Sequence, residues 1–261
     1  MRNTTFIILL LILAGGTRGQ DRSLFEKQYF ISGEDTLRLR ILTPVDYSPK
    51  RKYPVVLFLH GAGERGNDNE AQLTWGADLF LDPANRAKFP AIVIFPQCPQ
   101  DSTWSELKFT GSKDSLGGLT IRTDRPANNT QRLVIAFLDT LIAHGAVDKS
   151  RVYLGGLSMG GFGSFECLWR RPDLFAAAFP ICGGGDPATA VMYRKRIPVW
   201  IFHGDADPVV PILYSRRMYS ALKAAGARVT MTEYPGVGHD SWKNAFAETR
   251  LLPWLFAQKK Q

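Results

Sequence analysis

Short, unbroken runs of apolar and β-branched residues constrain the fold of this chain more than any other feature. Runs of this kind are typical of strands that are buried on both faces, as in a parallel sheet. Helical periods lie between them, and two further segments alternate apolar with polar residues as half-buried strands do. We therefore predict an α/β fold, with a mostly parallel central sheet, helices on both faces and an antiparallel N-terminal ribbon. The unbroken runs are residues 53–59, 91–95, 151–157, 176–181 and 199–202, and the alternating segments are residues 36–42 and 227–234.

Four helices and two long irregular stretches complete the predicted order of elements. The first helix has apolar residues at three- and four-residue steps over 133–142, with Thr130 as its N-cap and Gly145 as its stop. The irregular stretches each follow a buried strand directly, so both begin at the carboxyl edge of the sheet, where ligands bind in open α/β folds. The other helices are predicted at 159–170, 212–225 and 241–257, and the irregular stretches at 61–90 and 96–127.

Residues 1–19 have the pattern of a secretory signal peptide. Arg2 precedes an apolar run at 6–14, and small residues follow as far as Gly19. The run is about half of the ~20 residues that a membrane-spanning helix needs, which leaves an uncleaved anchor as the alternative. We therefore expect an exported protein, periplasmic or extracellular, with a single domain at 20–261 and no membrane span in its mature chain.

Charge, cysteine and histidine usage indicate no nucleic acid, metal or cofactor. The net charge is +8, but the basic residues form short clusters such as Lys50-Arg51-Lys52 that flank apolar segments. We interpret these clusters as solvated, with a binding patch as the alternative, and no nucleic-acid-binding motif is present. The four histidines are far apart and have no cysteine or histidine beside them. The three cysteines, Cys98, Cys167 and Cys182, are expected to be buried and unbridged, with one disulfide as the alternative.

The most informative motif is a G-x-S-x-G sequence between a buried strand and a helix. In Gly156-Leu157-Ser158-Met159-Gly160, the serine directly follows the apolar run at 151–157, and the helix predicted at 159–170 begins after it. That context is the one required for a nucleophile elbow, a tight turn that holds a serine hydroxyl at the sheet edge. The sequence therefore predicts Ser158 as a nucleophile.

A serine hydroxyl needs a base to take its proton, and the hydrolase order Ser, Asp, His indicates where to look. His239 lies in a glycine-rich loop after the strand that ends at Tyr234, whereas His60 and His203 lie inside apolar runs as core histidines do. Asp205 and Asp207 both follow the strand at 199–202, so position alone does not separate them. All of these loops begin at the same edge as Ser158.

Two backbone N–H groups should stabilise the oxyanion that forms when serine attacks a carbonyl. One is that of Met159, which follows the nucleophile, and the other should come from the loop after an early strand. The sequence His60-Gly61-Ala62-Gly63 has the small residues that allow close approach of a ligand. A plain glycine-rich turn is the alternative.

The chain resembles an α/β-hydrolase, and within that superfamily exported bacterial carboxylesterases related to dienelactone hydrolases and to feruloyl and acetylxylan esterases. The resemblance covers residues 53–257 and rests on LHGAGERG, PQCP followed by Trp104, GGLSMGGFG, HGDADPVVP and GVGHDSW. It implies Ser158 as the nucleophile, His239 as the general base and Asp207 as the acid that orients the histidine. Asp205 is then expected to hold its own turn.

The resemblance also implies Ala62 and Met159 as oxyanion donors, and Trp104 and Trp242 as candidate substrate-binding residues. No insertion between Cys182 and Val199 is long enough to form a large lid, which departs from true lipases. The expected activity is hydrolysis of feruloyl, acetyl or similar small esters, including esters on plant polysaccharides, through an acyl-enzyme. The alternatives are a polyester depolymerase, a serine peptidase of the prolyl oligopeptidase kind and a non-catalytic binding protein.

Overall fold

A computed structural model describes residues 21–109, 119–193 and 197–260. The predicted signal peptide and Gln20, the predicted first residue of the mature chain, lie outside the described residues. The strands are β1 (Glu26–Ser32), β2 (Asp35–Leu42), β3 (Tyr53–Leu59), β4 (Ile92–Gln97), β5 (Leu107–Phe109), β6 (Leu119–Ile121), β7 (Val147–Leu157), β8 (Ala177–Ile181), β9 (Val199–Gly204) and β10 (Val229–Tyr234). The helices are α1 (Ala77–Leu81), α2 (Pro83–Lys88), α3 (Asn129–His144), α4 (Met159–Arg170), α5 (Ala190–Tyr193), α6 (Leu213–Ala224), α7 (Trp242–Ala247) and α8 (Leu251–Phe256).

The central sheet confirms the predicted fold class. Its order is β1-β2-β4-β3-β7-β8-β9-β10, and β5 pairs with β6 in a separate hairpin. The six strands β4, β3, β7, β8, β9 and β10 run parallel to one another. Strands β1 and β2 form the antiparallel ribbon, and β2 pairs antiparallel with β4. Strands β3, β4, β8 and β9 are buried along their whole length. Their unbroken apolar sequences follow from that position, because both faces of each strand are covered.

Two apolar clusters cover the two faces of this sheet. Along β3, Val55 and Leu57 belong to one cluster, and Val56 and Phe58 belong to the other. This alternation is the two-residue period of a strand. The sheet therefore lies in the middle of the core, and polar side chains of the site collect at its carboxyl edge.

Two helix predictions needed correction, one at its N-terminal end and one in its middle. Helix α3 begins at Asn129 with Asn128 as its N-cap, whose side chain accepts a hydrogen bond from Gln131 N at 2.9 Å, so Thr130 lies in the first turn instead. Gly145 is its C-cap, as predicted. The helix predicted at 241–257 is divided into α7 and α8. Pro253 is the cause, because proline is tolerated in the first turn of α8 but would interrupt one continuous helix.

The long stretches that follow β3 and β4 contain short elements of their own. The first carries two single-turn 3-10 helices at 62–64 and 71–73, then α1 and α2, and the second carries the β5–β6 hairpin. All three cysteines are free and buried, which agrees with the sequence interpretation. Within the described ranges, no helix combines the length and apolar character needed to cross a membrane.

Candidate active site

Ser158 occupies the tight turn between β7 and α4. Its φ of 52° and ψ of −115° are a strained combination for a residue with a side chain. The flanking glycines explain how the turn closes: a Cβ on Gly156 would overlap the carbonyl group of Gly160, and a Cβ on Gly160 would overlap that of Leu59. The G-x-S-x-G spacing is therefore a steric requirement of this turn.

The structure brings Ser158, His239 and Asp207 into one hydrogen-bonded row. His239 Nε2 lies 2.9 Å from Ser158 Oγ, and His239 Nδ1 lies 2.7 Å from Asp207 Oδ2. The three residues follow β7, β9 and β10, whose carboxyl ends meet at one edge of the sheet. This row has the geometry that lets a histidine accept a serine proton while a carboxylate holds its other nitrogen.

The two candidate aspartates have different surroundings. Asp207 is 9% exposed, and its Oδ1 accepts hydrogen bonds from the backbone N–H groups of Val209 and Val210 at 2.8 and 2.9 Å. Burial alone would raise the pKa of this carboxyl, but hydrogen bonds from His203, His239 and those N–H groups hold it well below its usual range. Asp207 is therefore a buried anion at neutral pH, fixed on both oxygens.

Asp205 is exposed and makes a different contact. Its Oδ1 accepts a hydrogen bond from Gly236 N at 2.7 Å. Gly236 has a φ of 69° and begins the loop that carries His239. Asp205 thus ties two loops together without reaching the histidine ring, as expected for a residue that holds the turn.

His203 is a second histidine on the carboxylate of Asp207, which sequence reasoning assigned only to the core. It is fully buried, with Nε2 3.2 Å from Asp207 Oδ2 and 2.9 Å from Val210 O. Its Nδ1 lies 2.7 Å from Ser215 Oγ. The only sequence signal for this contact is the four-residue separation of His203 and Asp207 in one loop.

The loop after β3 lies against the nucleophile. A Cβ on Gly61 would be 3.7 Å from Ser158 Cβ, which places the following residue, Ala62, beside the elbow. Ala62 begins a 3-10 helix and Met159 begins α4. The first N–H groups of a helix have no acceptor within the helix, so both groups are suited to bind an anionic oxygen.

His60 and Trp104 lie beneath that loop and fix it. His60 Nε2 accepts a hydrogen bond from Cys98 N at 2.9 Å, and Trp104 Nε1 donates to His60 O at 2.9 Å. Burial lowers the pKa of His60 to about 4, so its ring is neutral and can accept. Trp104 is only 1% exposed. The structure therefore places Trp104 in the core, where it supports the loop, and not on a surface that substrate could contact.

Trp242, by contrast, lies at the site. Its ring packs edge-on against His239, with centroids 5.3 Å apart at 86°. Trp75 packs against Trp242 at 5.6 Å, and both rings are partly exposed. Sequence analysis placed the start of the stretch 61–90 at the edge of the sheet where ligands bind, but it did not single out Trp75, because no motif contains it.

The carboxyl of Glu64 connects Trp75 to the loop after β3. It interacts with the Gly61 and Glu64 backbone and with the Trp75 side chain. Burial raises the pKa of Glu64, and these hydrogen bonds partly offset that rise. One chain of contacts thus runs from the loop beside the elbow, through two tryptophans, to the ring of His239.

Cys182 completes the group of potential metal ligands at the site. Its Sγ, a carboxylate oxygen of Asp207 and a ring nitrogen of His239 all lie within 4.8 Å of one another. Burial raises the pKa of the Cys182 thiol. Because His239 is already hydrogen-bonded to Asp207 through Nδ1 and to Ser158 through Nε2, these side chains are arranged for proton transfer rather than for holding a metal.

Comparison with known proteins agrees with this geometry. A family model described as phospholipase/carboxylesterase matches residues 44–250. An acyl-protein thioesterase 1 of Neurospora crassa is 26% identical over 205 residues, which are 73% of this chain and 82% of the relative. A bifunctional acetylxylan esterase/xylanase of Neocallimastix patriciarum is 24% identical over 173 residues, 66% of this chain and 22% of that protein.

A solved thermostable esterase shares the fold at a TM-score of 0.81 with 36% identity. The alignment covers 91% of this chain and 64% of the esterase chain, so this chain spans somewhat less than two thirds of that structure. The similarity therefore includes nearly the whole α/β unit that carries the row of Ser158, His239 and Asp207.

Proposed function

Because the chain belongs to the phospholipase/carboxylesterase family of α/β-hydrolases and is an ester hydrolase, we propose that Ser158 is its nucleophile, His239 its general base and Asp207 the acid that orients the histidine. The hydrogen-bonded row at 2.9 and 2.7 Å is the observation that carries this proposal. Ser158 Oγ attacks the ester carbonyl while its proton passes to His239 Nε2. The buried carboxylate of Asp207 stabilises the imidazolium that results.

The remaining steps use the same groups. The N–H groups of Ala62 and Met159 bind the oxyanion, and His239 then gives its proton to the departing alcohol oxygen, which leaves an acyl-enzyme on Ser158. Water, deprotonated by His239, releases the acid and restores the serine. Removing one oxyanion donor typically costs on the order of 10²–10³ in kcat, so both N–H groups matter to the rate.

The substrates we propose are feruloyl, acetyl or similar small esters, including those on plant polysaccharides. The partly exposed rings of Trp75 and Trp242 beside His239 support this proposal, because the departing alcohol must leave from the histidine side. Aromatic faces suit the flat surface of a sugar or an aromatic group. The relative from Neocallimastix patriciarum, named an acetylxylan esterase/xylanase, points to the same substrate class.

A thioester is the second candidate substrate, and it is favoured by the relatives named acyl-protein thioesterase. The two candidates differ in the leaving group. A thiol leaves with less need for a proton from His239 than an alcohol does. Purified enzyme should be assayed on feruloyl and acetyl oxygen esters and on thioesters with the same acyl groups. Higher kcat/KM on the oxygen esters supports the first proposal, and higher kcat/KM on the thioesters replaces it with the second.

We also propose that the protein is exported and begins at Gln20 once residues 1–19 are removed. The support is the basic start, the apolar run and the small residues before Gln20. Expression in a bacterial host, fractionation and N-terminal sequencing test this proposal directly. A mature protein outside the cytoplasm that starts at or near Gln20 is expected, and an uncleaved chain in the membrane or cytoplasmic fraction would refute it.

A further inference from the structure

A cleft of about 490 Å³ opens at the amino edge of the central sheet. Residues 51–54 at the start of β3, residues 88–90 before β4, Arg151 of β7 and the last turn of α8 line it. Strand β3 begins at this cleft and ends at the loop beside Ser158. The cleft is therefore at the opposite end of the strands from the candidate active site.

Basic residues from separate segments of the chain line the cleft. Arg51, Lys52, Lys88 and Arg151 line it. The segments 50–54, 88–90, 148–151 and 253–260 together contain eight basic residues and one acidic residue, in a chain whose net charge is +8. Sequence analysis interpreted the cluster at 50–52 as isolated and solvated. The fold instead brings it together with Lys88 and Arg151, which come from two other segments.

Among the described residues, Arg151 alone of these four cations has a carboxylate partner. Lys52 Nζ donates to Gly145 O at 3.1 Å, and Arg151 forms an ion pair with Asp148 at 2.6 Å. Arg51 and Lys88 are exposed and lie over the rings of their sequence neighbours, at 5.3 and 5.5 Å from the centroids of Tyr53 and Phe89. In the part of the chain that the structure describes, neither cation is within ion-pair distance of a carboxylate.

The floor of the cleft is aromatic. Phe89 and Phe256 are partly exposed, with ring centroids 5.1 Å apart. Such rings stack against the apolar faces of sugar rings, while arginine and lysine bind carboxylates at the sides. A concave cleft does not match the flat surface of a bilayer.

We propose that this cleft binds an acidic polysaccharide through the carboxylates of its sugar units. The choice of a polysaccharide over other polyanions rests on the proposed function, hydrolysis of polysaccharide-linked esters. Binding at the amino edge would hold the enzyme on the polymer while the opposite edge, with Ser158, remains open to ester groups.

The test compares a double variant, Arg51→Gln with Lys88→Gln, with a control that removes the same charge elsewhere. The control is Arg217→Gln with Lys223→Gln, since both residues are exposed on α6 and Lys223 also lies over a ring, that of Tyr219, at 5.6 Å. Binding of the full-length mature protein to polygalacturonate is measured by affinity electrophoresis and calorimetry at low and high salt. Neutral xylan, duplex DNA and vesicles of phosphatidylglycerol are measured in parallel.

Wild type and the control should bind polygalacturonate, more weakly at high salt, and should bind neutral xylan far less. The cleft variant should lose affinity on the order of tenfold or more, because two charges that face the ligand are gone. Unchanged binding by the cleft variant, equal loss in the control, or tighter binding to DNA or vesicles than to polygalacturonate would each overturn the proposal.

Activity on a small soluble ester separates this proposal from the proposed function. The cleft variant should hydrolyse p-nitrophenyl acetate at the wild-type rate, since none of its changes lies at the carboxyl edge. Binding to polygalacturonate requires no turnover. Failure of the esterase proposal would therefore appear in the activity assay, and failure of the cleft proposal would appear in the binding assay.

Discussion

Replacing the carboxylate of Asp207 with an amide tests the link between Asp207 and His239 at little cost to the fold. In Asp207→Asn, the amide oxygen can keep the N–H groups of Val209 and Val210, which Oδ1 accepts at 2.8 and 2.9 Å. The amide NH₂ then faces His239 Nδ1, 2.7 Å away in the wild type. Because two donors cannot face each other, the imidazole proton moves to Nε2, and this nitrogen can no longer accept the proton of Ser158.

The expected loss is on the order of 10⁴ in kcat, the size seen when this tautomer is imposed in Ser-His-Asp hydrolases. That loss corresponds to about 5 kcal/mol of transition-state stabilisation. The melting temperature should fall by only a few degrees at neutral pH, because the two backbone hydrogen bonds survive although the contact of Oδ2 with His203 Nε2 is lost. Steady-state and burst kinetics with p-nitrophenyl acetate, together with thermal unfolding, measure both quantities.

Asp205→Asn is the matched control, since it makes the same chemical change two residues away. Its amide oxygen can still accept from Gly236 N, so only the extra strength of a charged acceptor is lost, on the order of 1 kcal/mol. We expect a melting temperature lower by a few degrees and kcat within about tenfold of wild type. An inactive but stable Asp205→Asn beside an active Asp207→Asn would refute the assignment of the acid, while the Ser158 and His239 assignments would survive.

Three further changes test the surroundings of the site. Gly160→Ala should lower stability by about 1–3 kcal/mol or more and displace the elbow, because its Cβ would overlap a backbone carbonyl. The control is Gly63→Ala, whose Cβ would meet nothing within 4 Å and which should leave thermal unfolding and activity unchanged. Equal effects of the two substitutions would contradict the packing argument. The pKa of His60 is lowered to about 4 from 6.5, so the unfolded chain binds a proton at this residue at higher pH than the folded chain does. His60 should therefore reduce the free energy of unfolding by about 3 kcal/mol as pH falls from 6.5 to 4. His60→Gln should flatten the dependence of the free energy of unfolding on pH, measured by chemical unfolding at several pH values, and an unchanged dependence would refute the argument. His203→Phe should remove a buried donor from Asp207, lowering both kcat and melting temperature, and wild-type values for both would show that the contact is dispensable.

The sequence predicts the parallel sheet and the elbow well because each has a local cause. Unbroken apolar runs arise from burial on both faces, and the glycines around Ser158 arise from contacts within one turn. Strand β1 was missed since it lies at the sheet edge and is mostly exposed, so its residues show no alternation. A prediction from periodicity detects burial, and a strand without burial escapes it.

Features that depend on distant segments could not be predicted in the same way. Asp205 and Asp207 share one loop, and only the fold shows which carboxylate meets His239. Trp75 reaches Trp242 from another stretch of the chain, and no local pattern marks that contact. The basic cleft likewise forms from separate segments, and its cations at 51–52, 88 and 151 each resemble ordinary solvated charges when the sequence is considered alone.

Labelling of the wild-type enzyme with a fluorophosphonate, followed by mass mapping, tests the central claim most directly. We expect one phosphonyl group per chain, on the peptide that contains Ser158, with loss of esterase activity in proportion to labelling. Ser158→Ala should remain folded, take up no label and lose on the order of 10⁶ in kcat. Labelling of another serine at the same rate, or a Ser158→Ala variant with near wild-type activity, would contradict the account.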